Sequence, residues 1–110
     1  MTDADRTATR VQIETQLFAL YQELQHSLHR ATTIREQILP RIEQALKDTE
    51  RAYSSGRYGY FELRVVQAEL LDTRTALVES NIDAHRYLIE IERLTGTTAM
   101  STFTYPRGLQ

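Results

Sequence analysis

Glu23-Leu24-Gln25-His26 sets a carboxylate and an imidazole three residues apart, the Glu-x-x-His spacing that carboxylate-bridged di-iron bundles use. Such a centre needs a second copy of the motif and two further carboxylates, and no second Glu-x-x-His follows. His29 and His85 fall at similar heights on the two helices read below, but both lie on outer faces, as solvated imidazoles do. The chain has no cysteine, which excludes disulfides and thiolate metal sites. A Gly-rich phosphate loop, a nucleophile elbow and a clustered Ser/His/Asp set are all missing. Paired carboxylates such as Glu90 and Glu92 belong to solvated helix faces. The expectation is therefore no catalytic residue, no metal site, no cofactor and no enzyme. A formal charge of −2 without a basic stripe points away from nucleic acid.

The elements that would position any site follow from punctuation and periodicity. Glycines at 56, 59, 96 and 108 and prolines at 40 and 106 leave two long segments, about 5–54 and 60–95. A Thr/Ser/Gly/Pro tail over 96–110 reads as loop. The first segment repeats Leu17, Tyr21, Leu24, Leu28, Ala31, Ile38, Ile42, Ala45, Thr49 and Ala52. The second repeats Leu63, Val66, Leu70, Thr73, Leu77, Ser80, Ala84, Tyr87, Ile91 and Leu94. Steps of three and four mark the seam of packed helices, whereas strands would step by two. Ala52 with Leu63, Ala45 with Leu70, Ile38 with Leu77, Leu28 with Tyr87 and Tyr21 with Leu94 share the constant sum expected of antiparallel helices, 115. The mirror centres between Arg57 and Tyr58, inside a tip at 55–59 where Gly56 suits the left-handed conformation that ends a helix. The fold expected is all-α, one long antiparallel helical hairpin of coiled-coil type. Within it, Arg35 either forms a polar layer opposite Ser80 or snorkels outward, and Pro40 removes the bond to the Glu36 carbonyl and kinks the first helix.

One hundred and ten residues allow a single small domain, and 41% apolar residues with so few breakers exclude disorder. No run approaches the ~18 apolar residues of a membrane-spanning helix, and no ~10-residue alternating strands suggest a barrel. Residues 1–16 are polar throughout, so no signal peptide is expected and the chain reads as soluble.

The back of the first helix is polar, as Gln22, Glu23, His26, Arg30, Glu36 and Lys47 show. The second helix carries a further apolar line: Phe61, Ala68, Thr75, Ile82 and Ile89, flanked by Val65, Leu71 and Val78. Helices apolar on two sides are buried on two sides. Self-association is thus expected through Phe61, Val65, Ala68, Leu71, Ile82 and Ile89, as a dimer forming a helical bundle or within a wall of helices. The tip concentrates Tyr53, Tyr58, Tyr60 and Phe61, which suits either partner docking or rings packing on one another to fix the reversal.

The stretch from Ala52 to Leu63, Ala-Tyr-Ser-Ser-Gly-Arg-Tyr-Gly-Tyr-Phe-Glu-Leu, resembles the second hairpin tip of TolC-like outer-membrane efflux proteins. Gln67, Leu70, Leu71, Arg74, Ala76, Leu77, Asp83, His85 and the closing Ile91-Glu92-Arg93-Leu94-Thr95-Gly96 continue the likeness, and Ile38-Leu39-Pro40 resembles the CzcC-like heavy-metal-efflux branch. The similarity covers roughly residues 10–96. It implies a periplasmic conduit segment from a trimeric outer-membrane factor, with Gly56, Arg57, Tyr58 and Gly59 docking a periplasmic adaptor of the pump. It also implies an excised piece or a truncated frame, because the first repeat and the barrel strands of such proteins are missing here. Where the family commonly carries Leu-Asp-Ala after the tip this chain has Arg64-Val65-Val66, so no acidic tip role carries over. The alternative is a stand-alone coiled-coil interaction module.

Overall fold

A computed structural model describes residues 2–102, and every element in it is helical. Helix α1 runs Asp3–Thr33, a π turn occupies Ile34–Ile38, α2 runs Leu39–Ser54 and α3 runs Tyr60–Thr102. The chain is an all-α helical hairpin, and the five residues between α2 and α3 are the tip expected at 55–59. Its helices form two compact units, His26–Asp83 and the described parts of Met1–Gln25 with Ala84–Gln110.

Helix α1 begins with a reciprocal cap. The Asp5 amide donates to Thr2 Oγ1 at 3.1 Å and the Thr2 amide to Asp5 Oδ2 at 3.4 Å. This satisfies two donors that the first turn would otherwise leave bare, and Asp3 and Asp5 complement the positive helix end.

In the tip-bearing unit, α2 ends in a Schellman motif. Gly56 takes φ +79°, its amide donates to the Tyr53 carbonyl at 3.1 Å, and the Arg57 amide donates to the Ala52 carbonyl at 2.8 Å. A methyl added at Gly56 would touch nothing, so its requirement is purely conformational. Gly56→Ala is expected to cost about 1–2 kcal/mol, the left-handed penalty of an L-residue. Gly96→Ala, where the added methyl also meets open space inside α3, should gain about 1 kcal/mol from helix propensity. Urea denaturation of the two variants should move the midpoint in opposite directions; a shared direction would refute the assigned backbone conformations.

The antiparallel course of this unit is marked by two ion pairs between its arms. Glu43 Oε2 lies 3.8 Å from Arg74 Nη2, and Asp83 Oδ2 lies 3.9 Å from Arg30 Nη1. Their residue numbers total 117 and 113, either side of the expected mirror. Both pairs are about half exposed, so each contributes at most about 1 kcal/mol and serves register more than stability.

The α3 seam is as expected: Leu63, Leu70, Ser80 and Ala84 are buried, and Val66, Thr73, Leu77, Tyr87, Ile91 and Leu94 are half-buried. The first-arm seam needs correction. Tyr21, Leu28 and Ile38 are 52%, 46% and 40% exposed, and Ala45 is exposed. Leu17, Leu24, Ala31, Ile42, Thr49 and Ala52 are covered as expected, and Leu20, Ser27, Ile34, Leu39 and Leu46 complete the covered row.

The break in phase has a local cause. Proline at position 40 has no amide to give the Glu36 carbonyl, and the backbone accommodates it with a π turn in which the Leu39 amide bonds the Ile34 carbonyl, five residues back. One residue is thereby inserted into the heptad, and a single mirror sum cannot hold on both sides of it. Ile34 takes the buried position while Arg35 is exposed, which is the snorkelling outcome. Ser80, 1% exposed, satisfies its hydroxyl on the Ala76 carbonyl at 2.9 Å.

A second boundary also shifts. Helix α3 passes through Gly96 to Thr102, where a loop was expected from 96. One glycine costs a helix only about 1 kcal/mol, and Thr95 turns its hydroxyl back onto the Ile91 carbonyl at 2.7 Å instead of capping an end. The rest of the expected tail, 103–110, lies outside the described residues.

Candidate functional site

Two surfaces remain once the seam is accounted for: the tip and the outer face of α3. At the tip, the Ala52 carbonyl accepts the amides of Arg57 and Tyr58, at 2.8 and 3.1 Å, and the Ser55 hydroxyl at 3.1 Å. The reversal is therefore held by backbone and by Ser55. The side chains of Arg57 and Tyr58 are free of that duty. Arg57 Nε reaches only Ser55 Oγ, at 3.3 Å, and both side chains line a shallow groove along α2 with Ala45, Asp48, Thr49 and Ala52.

The four tip aromatics divide between the two roles open to them. Tyr53 and Tyr60 pack together, ring centroids 6.2 Å apart and planes tilted by 56°, which ties the end of α2 to the start of α3. Tyr58 and Phe61 stand out at 50% and 76% exposure. Gly59 differs from Gly56: its φ is not positive, and an added methyl would meet only the movable Glu62 carboxylate at 2.9 Å. Of the tip residues predicted from sequence, Gly56 shapes the turn, Arg57 and Tyr58 present side chains, and Gly59 only leaves room. Glu62, in the first turn of α3, places its carboxylate by the positive helix end, a feature its position three residues after Gly59 could have signalled.

The outer face of α3 is exposed at the positions from Phe61 to Ile89. In the tip-bearing unit Phe61, Val65, Leu71, Val78 and Ile82 are 76%, 40%, 65%, 55% and 51% exposed, and Ala68 and Thr75 are exposed with them. In the other unit Ile89 is 53% exposed. That unit also exposes Val11 and Phe18, an i, i+7 pair on α1 outside the first-arm seam. Against these faces the core is small. Among the described residues the buried apolar ones are Ala31, Ile34, Ala52, Leu63, Leu70 and Ala84, half of them alanine.

The histidines are placed without convergence on a ligand. His26 and His29 are exposed and line one groove with Arg30, Thr33, Ile34 and Ile38, while Glu23 and His85 are exposed in the other unit. Among the described residues no group of three His, Asp or Glu side chains could hold a metal ion. No described helix is long and apolar enough to cross a membrane. No protein-family model, curated protein or solved structure matches this chain.

Proposed function

We propose that this chain is a non-catalytic helical hairpin that works as one member of a larger helical assembly, and that the assembly is the periplasmic conduit of a TolC-like outer-membrane efflux protein. The observation that carries the reading is the two-sidedness of α3. It buries Leu63, Leu70 and Ser80 on one side and holds out Phe61, Leu71, Val78 and Ile82 on the other. A helix built this way has room for a neighbour on each flank, which is the position of every helix in a closed wall.

The efflux assignment rests on the tip sequence and on the tip's construction. Gly56, Arg57, Tyr58 and Gly59 are all exposed, and the turn leaves the Arg57 and Tyr58 side chains available. In this reading the parent is a trimer, the tips meet a periplasmic adaptor, and the segment itself has no substrate chemistry. The deciding experiment changes the Arg57 and Tyr58 codons to Ala in the host and follows efflux-dependent metal resistance. A stand-alone coiled-coil interaction module is the second reading. It is favoured by the heptad spacing of the outer face, which would serve two-stranded pairing equally well.

A further inference from the structure

On the outer side of α3, Phe61, Ala68, Thr75 and Ile82 recur every seven residues, and Leu71 and Val78 stand three residues after the middle two. These fill the a positions of successive heptads from Phe61 and the d positions of the second and third, the first d position being Arg64; all six are exposed and lie within one compact unit. The buried seam of α3 falls at the c and f positions, on the opposite side of the helix.

The charges beside this line are arranged as a pairing code. Arg74 takes a g position and Glu79 the e position five residues on, the two that meet across a parallel two-stranded coil. Glu79 is exposed and has no ion-pair partner among the described residues. Arg74 touches Glu43 at 3.8 Å with its side chain 58% exposed, which leaves donors of the guanidinium for a second carboxylate. An antiparallel pairing that covers the same face, with Phe61 against Ile82, would instead set Leu71 against Asp72.

We propose that the outer face of α3 docks a second copy of this chain, parallel and in register, with Arg74 of each copy paired to Glu79 of the other. Parallel register puts Leu71 on Leu71, Val78 on Val78 and Ile82 on Ile82, so the apolar pairing runs from Ala68 to Ile82, with Arg64 meeting its own copy at the tip-proximal end. The inference rests on the reading of α3 as a helix with room for a neighbour on each flank, and it names the second neighbour of the hairpin on its own; a trimeric parent, which has no two-fold axis, would cover that face with another helix.

Sedimentation equilibrium of the 110-residue chain tests it, with helix content followed by circular dichroism. The chain should dimerise at micromolar concentration. Glu79→Arg and Arg74→Glu, each of which sets like charges together twice per dimer, should weaken the dimer about tenfold or more while helix content stays the same. An equimolar mixture of the two variants should recover the original affinity as a heterodimer, because each mismatch then finds its complement. Ala68→Cys, in a chain with no other cysteine, should form a disulfide-linked dimer under mild oxidation. A chain that stays monomeric at high micromolar concentration overturns the proposal. So does a dimer indifferent to the charge changes, or one that does not cross-link at position 68. Loss of resistance from the Arg57 and Tyr58 changes in a protein that fails these tests would leave the conduit reading intact and remove only the pairing.

Discussion

Leu70→Ala should cost the hairpin about 2–5 kcal/mol, whereas Leu71→Ala, one residue further along the same helix, should leave the monomer within about 0.5 kcal/mol of its starting stability. Leu70 is 7% exposed and Leu71 65%. The first change removes methyl groups from a seam with few large side chains to close over the gap. The second removes them from water. Because so much of the core is alanine and serine, the loss at Leu70 is large against the total stability of a two-helix unit, and substantial unfolding at room temperature is the expected result. Denaturation at two protein concentrations separates the roles. The Leu70 penalty should appear at both, while Leu71→Ala should matter only where copies associate. Equal penalties in dilute solution would mean that both sides of α3 are covered within one chain, and the outer face would lose its meaning.

The second large effect is expected at the tip. On the proposed conduit reading, changing both Arg57 and Tyr58 to Ala in the host gene should lower efflux-dependent metal resistance to the level of a strain lacking the protein, while the amount recovered in the outer-membrane fraction stays the same. The reasoning follows from which atoms hold the turn. The amides of residues 57 and 58 bond the Ala52 carbonyl, and Gly56 supplies the positive φ, so alanine at 57 and 58 keeps the backbone contacts that make the reversal and gives up only the Arg57 Nε bond to Ser55 Oγ. Only the guanidinium and phenol are lost. Arg and Tyr at the centre of an interface commonly carry 2 kcal/mol or more each, and an assembly that presents several tips multiplies the loss through avidity. Resistance that survives the change would show that the side chains have no docking role. The efflux assignment would then lose its tip, though the hairpin would keep its fold.

How far the sequence alone reaches can be judged from particular residues. Gly56 was legible because a left-handed C-terminal residue is a local requirement, satisfied by backbone within five positions. The α3 seam from Leu63 to Leu94 was legible because no proline interrupts it and the heptad keeps phase with the helix. The outer line from Phe61 to Ile82 could be read for the same reason. The first arm could not be phased in this way. Tyr21, Leu28, Ile38 and Ala45 are larger or more regularly spaced candidates than Ser27 and Ile34, yet the structure covers the latter two. Sequence pattern admits a serine to a seam where an unbroken heptad demands it, as at Ser80, but prefers Leu28 to the adjacent Ser27 where the phase is broken. It takes two helices in close approach to make a small side chain the better fit.

The π turn is the other decision of the folded chain. Proline at position 40 announces that a hydrogen bond must go, but not whether the helix will bend or admit an extra residue. Here the extra residue lets the covered row step from Ile34 to Leu39 and so keep facing α3 on both sides of the break. What the sequence by itself determined is therefore local: two helical arms, the tip at 55–59, the phase of the uninterrupted helix and its two apolar sides. The tertiary structure decided the phase of the first arm, the burial of Ser27, and the split of the tip aromatics into a packed pair and an exposed pair. Each of those depends on the distance between elements far apart in the chain, and no periodicity within one element carries that distance.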